Sequence, residues 1–151
     1  KKIASFSVNH DKLKKGMYVS RIDGDVVTYD LRMKVPNAGD YLSNGALHTF
    51  EHLSPRMRAT PRCPIPSSTS AHGLPHGFYF LLRDNVSRLD ALHLVQESFA
   101  FIRDFEGEIP GSRREECGNY KEHDLKGAKE TAVDMLEVLK DWTPEKMEYE
   151  V

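Results

Sequence analysis

A proline-rich segment constrains this chain more than any other feature, because it separates two ordered halves. Residues 54–76 contain five prolines and a Ser-Ser-Thr-Ser tract, and they show neither helical nor strand periodicity. Proline lacks an amide hydrogen and restricts the residue before it, so a helix that enters this segment cannot continue for many residues. The segment is either a long surface loop, which is uncommon in a compact domain, or a stretch that the fold did not evolve with.

The half before this segment predicts a β-hairpin. Residues 17–23 and 26–33 flank a Gly-Asp dipeptide that is typical of a tight turn, and the second run alternates apolar and polar side chains. One face of that strand is therefore predicted to be buried and the other polar. Asp30 and Arg32 share the polar face, and their spacing alone predicts a solvated charge pair.

The half after the segment predicts one more strand and two helices. Residues 77–83 have aromatic and apolar side chains on both faces, which is typical of a buried strand. Ser87 begins a helix with Asp90 as its capping partner. The apolar stripes of the two helices contain Leu89, Leu92, Val95, Phe99 and Ile102, and then Leu125, Ala128, Ala132, Met135, Leu136 and Leu139. This order predicts an α+β fold, an antiparallel sheet packed with helices, in a single domain of residues 1–151.

Composition excludes several classes of function. The 151 residues include 21 Lys and Arg against 23 Asp and Glu, a net charge of −2, which gives no general electrostatic basis for binding nucleic acid or an anionic membrane. No apolar run approaches the roughly 20 residues of a membrane span, so we expect a cytoplasmic protein. In a reducing compartment, Cys63 and Cys117 are better suited to thiolate chemistry or metal ligation than to a disulfide.

Residues 48–52 read H-x-x-E-H, which indicates half of a mononuclear metal site. On a helix, His48 and His52 lie one turn apart on the same face, with Glu51 beside them. Two imidazoles at this spacing can hold one cation, and the carboxylate can move protons for the group that the cation activates. The alternative interpretation is two surface histidines on a charged helix.

The predicted metal site needs a third ligand, and Cys117 is a better candidate than Cys63. It precedes Gly118, which allows sharp backbone geometry, and it lies outside any apolar stripe, whereas Cys63 lies in the proline tract. Two histidines, one cysteine and a water would form a catalytic rather than a structural site. The remaining histidines that follow this motif have no partner at helical ligand spacing: His72, His76, His93 and His123.

Together these residues resemble the S-ribosylhomocysteine lyase (LuxS-type) family. The order and spacing of several short motifs match along nearly the whole chain except residues 54–76. The matching residues are Ser5-Phe6, His10, Tyr29-Asp30-Leu31-Arg32, Pro36-Asn37, the run from Leu47 to Leu53, Gly77-Phe78-Tyr79, and Glu116-Cys117-Gly118-Asn119-Tyr120 with His123.

The resemblance implies a fold, a cofactor and a reaction. It implies a homodimer with one divalent metal per subunit, Fe(II) natively with Zn or Co possible, on a helix at the dimer interface. The implied reaction cleaves S-ribosylhomocysteine to homocysteine and 4,5-dihydroxy-2,3-pentanedione, the precursor of the autoinducer-2 signal. The implied site residues are His48, His52 and Cys117 as ligands, Glu51 as general acid/base, and Ser5, His10 and Arg32 around the substrate.

The chain departs from this family just before Gly77. The family carries Pro-Met-Gly-Cys-(Arg/Gln)-Thr-Gly there, and its cysteine is catalytic, but this chain reads Ala-His-Gly-Leu-Pro-His-Gly over residues 71–77 and has no cysteine at that place. The departure leaves a second hypothesis, a non-catalytic metal-binding homologue whose proline-rich segment binds partners.

Single-base losses can account for the departure. When residues 53–58 are back-translated with GC-rich codons, one restored C gives a normal continuation of the helix. A second restored C within residues 68–76 gives Tyr-Phe-Gly-Pro-Met-Gly-Cys-Arg-Thr, and a third restored base, a G before Phe78, returns the frame. We therefore hypothesise that residues 54–76 are an out-of-frame translation, from a sequencing error or a decayed gene. Resequencing tests this, because an intact in-frame reading of the present residues would contradict it.

Overall fold

The computed structural model describes residues 8–53, 69–74 and 76–150, which form four strands and three α-helices. The strands are β1 (Gly16–Asp23), β2 (Val26–Arg32), β3 (Thr69–Leu74) and β4 (Gly77–Arg83). The α-helices are α1 (Asn44–Leu53), α2 (Arg88–Asp104) and α3 (Leu125–Leu139), and a 3-10 helix, Pro144–Met147, follows α3. These elements confirm the predicted α+β class.

The strands form one antiparallel sheet in the order β1-β2-β4-β3. β1 and β2 are the predicted hairpin, and its turn contains Gly24 at φ +61°, a left-handed conformation that glycine adopts without strain. β4 occupies the predicted residues and lies between β2 and β3. Phe78, Phe80 and Leu82 are buried on one face of β4, and Tyr79 and Leu81 on the other face are half-buried, so the predicted burial is complete on one face only.

Apolar side chains from the sheet and from all three helices form one core cluster. Ser87 caps α2 as predicted, because its Oγ accepts a hydrogen bond from the Asp90 amide at 3.1 Å. The predicted stripe of α2 is buried except at Leu89, which is 48% exposed. The prediction for Leu89 is wrong because the first turn of α2 contacts the core cluster through Ala91 and not through Leu89. The predicted stripe of α3 packs against that cluster throughout.

The proline-rich segment contains a strand that its sequence did not predict. β3 pairs with β4 at the edge of the sheet, with an irregular register between Ser70 and Leu74. An edge strand of this kind is held by backbone hydrogen bonds, which need no alternation of apolar side chains. The prediction that residues 54–76 lack strand structure is therefore wrong at β3, while residues 54–68 and Pro75 lie outside the described residues.

The polar face of β2 is buried, which corrects the prediction of a solvated pair. Thr28, Asp30 and Arg32 are each less than 9% exposed. Tyr149, from the end of the chain, donates a hydrogen bond to Asp30, so a segment distant in sequence contacts this face. None of the helices within the described residues is long and apolar enough to cross a membrane.

Candidate metal centre

α1 presents two histidines because its other side is fixed in the core. The Ser43 hydroxyl accepts a hydrogen bond from the Ala46 amide at 3.1 Å and so caps the start of the helix. His48 and His52 are half-buried on the face between core and solvent. The buried side chains of α1 are Ala46, Thr49, Phe50 and Leu53.

Backbone carbonyls fix the tautomers of both histidines. His48 Nδ1 lies 2.7 Å from the Glu122 carbonyl oxygen, and His52 Nδ1 lies 2.8 Å from the Pro110 carbonyl oxygen. A carbonyl can only accept, so each Nδ1 carries the hydrogen and each neutral ring has its lone pair on Nε2. The two Nε2 atoms lie 3.0 Å apart. Two facing lone pairs repel each other, and a shared cation removes that repulsion.

Cys117 supplies the third donor atom. Its Sγ lies 3.2 Å from His48 Nε2 and 3.7 Å from His52 Nε2. A tetrahedral zinc-type site would place two nitrogens about 3.3 Å apart and a nitrogen and sulfur about 3.6 Å apart. The three donor atoms therefore match the spacing that one divalent metal ion requires.

A turn, rather than an unusual glycine, carries Cys117 to the histidines. The Cys117 amide donates to the Arg113 carbonyl oxygen at 3.0 Å within this turn. Gly118 is not among the glycines with positive φ, and an added Cβ there would meet no neighbour within 4 Å. The predicted reason for favouring Cys117, a sharp turn at Gly118, is therefore wrong, although the structure does bring Cys117 into the cluster.

His123 joins these three residues, and its spacing did not predict it. Ligand-type atoms of His48, His52, Cys117 and His123 all lie within 4.8 Å of one another, and we call these four residues the histidine–cysteine cluster. The sequence feature that could have indicated the approach of His123 is Gly45, because a Cβ at position 45 would lie 3.3 Å from the His123 carbonyl carbon. A residue without a side chain at position 45 lets the segment before α3 lie directly against α1.

His123 packs on the ligand-type rings instead of pointing at the same ion. Its ring is stacked on that of His48, with centroids 4.1 Å apart and planes 16° from parallel, and it meets the His52 ring edge-on at 4.8 Å. An imidazole lone pair lies in the ring plane, so two stacked rings cannot both direct a nitrogen at one ion. Burial, and then the charges of His48 and His52, lower the pKa of His123.

Hydrogen bonding also fixes the tautomer of His123. The Thr49 hydroxyl donates to the Gly45 carbonyl oxygen at 2.8 Å, and it accepts from the Asp124 amide at 3.0 Å. Its one hydrogen is committed, so the contact of 3.3 Å with His123 Nδ1 places the hydrogen on that nitrogen. His123 Nε2 is then a buried acceptor without a partner in the part of the chain that the structure describes.

The other predicted site residues occupy different places. Glu51 is exposed on α1, directly before His52. Arg32 and His10 are not members of the histidine–cysteine cluster. They lie near His76, whose pKa is lowered by burial and then by Arg32, with a smaller contribution from His10. Ser5 and Cys63 lie outside the described residues.

Arg32 forms a buried ion pair. Its Nη2 donates to Asp30 Oδ2 at 2.5 Å, and both side chains are 5% exposed. Its Nε and Nη1 are buried and have no hydrogen-bond partner among the described residues. Buried donors without partners carry a desolvation cost, which an oxygen-rich ligand would relieve.

The sequence matches known proteins along most of its length. Residues 3–146 match the family model described as S-Ribosylhomocysteinase (LuxS). A protein of Phocaeicola vulgatus named S-ribosylhomocysteine lyase is 42% identical over 158 aligned residues, which cover 99% of this chain and 97% of that protein. A protein of the same name from Porphyromonas gingivalis is 44% identical and covers 98% of both chains, and one from Borreliella afzelii is 36% identical and covers 99% of both. The chain belongs to the S-ribosylhomocysteinase (LuxS) family.

Proposed function

We propose that this chain is a metal-dependent carbon–sulfur lyase, which cleaves S-ribosylhomocysteine to homocysteine and 4,5-dihydroxy-2,3-pentanedione. The observation that carries the proposal is the convergence of His48 Nε2, His52 Nε2 and Cys117 Sγ, with both Nδ1 atoms hydrogen-bonded to backbone carbonyls. Three protein donors leave one position of a tetrahedral ion for a substrate oxygen, which is the arrangement of a catalytic site. The names of the relatives supply the substrate.

The reaction requires protons to move between carbon and oxygen. A bound divalent metal supplies a Lewis acid for the carbonyl group of the ring-opened sugar. We assign Glu51, which is exposed on α1 directly before His52, as the carboxylate that takes a proton from the carbon next to that carbonyl and returns it to oxygen. Once the carbonyl is two bonds from the carbon that carries sulfur, removal of the intervening proton breaks the carbon–sulfur bond. The electron pair leaves with sulfur, and homocysteine takes up a proton.

We assign His48, His52 and Cys117 as the ligands, and Fe(II) as the native metal. Imidazole and thiolate donors also accept Zn and Co, so the donor set supports a divalent transition metal more strongly than it selects one. Metal analysis of protein purified without added metal tests the choice, since zinc alone would contradict the assignment of iron.

We further propose a homodimer in which Arg32, His10 and Ser5 contact the substrate. The support from geometry is that Nε and Nη1 of Arg32 are buried and find no hydrogen-bond partner within residues 8–53, 69–74 and 76–150, so oxygen atoms of a ligand can accept from them. A light-scattering mass of twice the chain supports the dimer, and the mass of one chain contradicts it.

The missing cysteine limits what the chain as written can do. A reaction with several proton transfers needs a second acid/base beside Glu51, and the family places a cysteine before the position of Gly77. The alternative function, a metal-binding homologue without catalysis, is favoured by this one absence. We propose that residues 54–76 are out of frame and that the repaired chain is the active enzyme.

Release of homocysteine from S-ribosylhomocysteine tests the function. The assay compares the chain as written, a repaired chain that carries Pro-Met-Gly-Cys-Arg-Thr directly before Gly77, and the repaired chain with Glu51→Gln. We expect release by the repaired chain, and at least about 100-fold slower release by the other two. No release by the metal-loaded repaired chain contradicts the lyase and supports the alternative. Equal rates of homocysteine release by the written and repaired chains would contradict a catalytic role for the restored cysteine.

A further inference from the structure

The polar face of the sheet carries a second built arrangement, which we call the sheet-face cluster: Asp30, Arg32 and Tyr149. Asp30 Oδ2 accepts two hydrogen bonds, from Arg32 Nη2 at 2.5 Å and from the Tyr149 hydroxyl at 2.8 Å. The other two donor groups of the guanidinium, Nε and Nη1, are buried and have no partner among the described residues. Asp30 therefore holds one side of Arg32 and leaves the opposite donors available.

Tyr149 reaches this face because the C-terminal segment is fixed against β1. Its ring stacks on Tyr18, with centroids 5.2 Å apart and planes 18° from parallel, and Tyr18 meets the Trp142 ring edge-on at 5.6 Å. The Trp142 Nε1 donates to the Met17 carbonyl oxygen at 2.9 Å. A Cβ at Gly16 would collide with the Trp142 ring, so glycine at that position is required for the contact.

The hydroxyl of Tyr149 is a permanent donor. Burial, followed by the charge of Asp30 and the hydrogen bond to it, raises the pKa of Tyr149 far above its usual value. The phenol thus keeps its proton at every physiological pH and donates it to the carboxylate of Asp30. A hydrogen bond to a buried carboxylate is stronger than one between neutral groups, and it restricts the orientation of the carboxylate.

We propose that Tyr149 is a positioning residue, which holds the Asp30 carboxylate so that Nε and Nη1 of Arg32 face oxygen atoms of the substrate. The inference rests on the proposed function for its substrate, a polyhydroxylated sugar thioether. Tyr149 itself lies beyond residue 146, where the match to the family model ends. In this role Tyr149 acts through Asp30 and Arg32 rather than on the substrate itself.

The test compares two tyrosines of the same stacked pair. Tyr149→Phe removes the hydroxyl that contacts Asp30 and keeps the stacked ring. Tyr18→Phe is the matched control, because it removes a hydroxyl that donates to the Lys14 carbonyl oxygen at 3.1 Å and also keeps the ring. A merely structural role predicts the same result for both variants, whereas the positioning role predicts a change in Tyr149→Phe alone.

Two measurements are made on each metal-loaded full chain. Calorimetric titration with S-ribosylhomocysteine gives the affinity without requiring turnover, and we expect it to be about 10-fold weaker in Tyr149→Phe and unchanged in Tyr18→Phe. Hydrogen exchange of the Arg32 Nε–H, followed by NMR without substrate, reports the guanidinium itself. We expect exchange about 10-fold faster in Tyr149→Phe only.

The two measurements separate this inference from the proposed function. Arg32 exchange that is equal in the two variants overturns the positioning role, whether or not the chain binds the substrate. If no chain binds S-ribosylhomocysteine while exchange is faster only in Tyr149→Phe, the positioning role is supported and the proposed substrate is contradicted. Equal loss of affinity in both variants also overturns the positioning role.

Discussion

The histidine–cysteine cluster and the sheet-face cluster differ in the kind of partner that their polar atoms can bind. In the first, backbone carbonyls direct lone pairs of His48 and His52 toward each other and toward Cys117, so the nitrogen and sulfur atoms that could hold a metal converge. In the second, Nε and Nη1 of the buried Arg32 are hydrogen-bond donors without an acceptor in the described part of the chain. The first arrangement suits a cation and the second suits oxygen atoms of a ligand. A reaction on a polyhydroxylated substrate at a metal ion requires both.

The two clusters also differ in how they depend on the rest of the fold. The histidine–cysteine cluster is half-exposed, and α1 is fixed by other residues on its buried side. In the sheet-face cluster, Asp30 and Arg32 form an ion pair whose side chains are both buried. Changes in the first should therefore alter metal binding more than stability, and changes in the second should alter stability more than metal binding.

Loss of the thiolate is the largest expected effect on metal binding. Cys117→Ala should weaken the affinity for a divalent metal by more than about 100-fold, because even the residues that orient ligands account for factors of 10 to 100. Competition with a chromophoric chelator measures the affinity. His93→Gln, at an exposed position on α2, is the control and should bind metal as the unchanged chain does. Unchanged affinity in Cys117→Ala would remove cysteine from the ligand set.

Breaking the buried pair is the largest expected effect on stability. Arg32→Met should lower the free energy of unfolding by about 3–5 kcal/mol, because Asp30 then stays buried without its counter-charge. Chemical denaturation measures this, and metal affinity should be almost unchanged. Arg21→Met, in the exposed pair with Asp23, is the control, with an expected loss of less than about 1 kcal/mol. Equal losses in both variants would contradict the contrast between buried and exposed charge.

The sequence predicted the first cluster better than the second because of where the partners lie. His48 and His52 are neighbours on one helical turn, so their spacing alone brings them together. The burial of Arg32 depends on contacts far along the chain, including Tyr149, which no local pattern contains. Periodicity correctly gave the strand and its two faces, but it could not show that a distant segment contacts the polar face.

Two further differences have physical explanations. β3 was missed because an edge strand is recruited by the hydrogen-bonding groups of its neighbour, whatever its own composition. His123 was missed because it approaches His48 through tertiary packing of the segment before α3 over Gly45, and not through a turn of one helix. In both cases the cause is a contact between segments distant in sequence.

A variant of His123 tests whether this residue is a metal ligand or only supports the ligands. His123→Phe keeps a ring that can stack on His48 and removes the link to Thr49, so metal affinity should fall by about 10-fold. His93→Phe is the matched control on the helix surface. A loss comparable to that of Cys117→Ala would instead make His123 a metal ligand.

The smallest expected effect is a dependence of stability on pH through His76. Burial and then Arg32 lower its pKa below the ordinary value of 6.5, so the unfolded chain binds a proton more readily than the folded chain does. The contribution of His76 to the free energy of unfolding is therefore fully present above pH 6.5, and it is lost as the pH falls below that value. Between about pH 7.5 and about pH 5.5, the free energy of unfolding should fall less in His76→Gln than in the unchanged chain. An equal fall in that variant would exclude His76 as a contributor.

The absorption spectrum of the cobalt-loaded chain is the most direct test of a metal site formed by His48, His52 and Cys117, because it reports both the number and the type of ligands. We expect intense visible bands of a four-coordinate ion, with a thiolate-to-cobalt charge-transfer band in the near ultraviolet that disappears in Cys117→Ser. Weak six-coordinate bands in the unchanged chain, with no charge-transfer band, would contradict a site built from His48, His52 and Cys117.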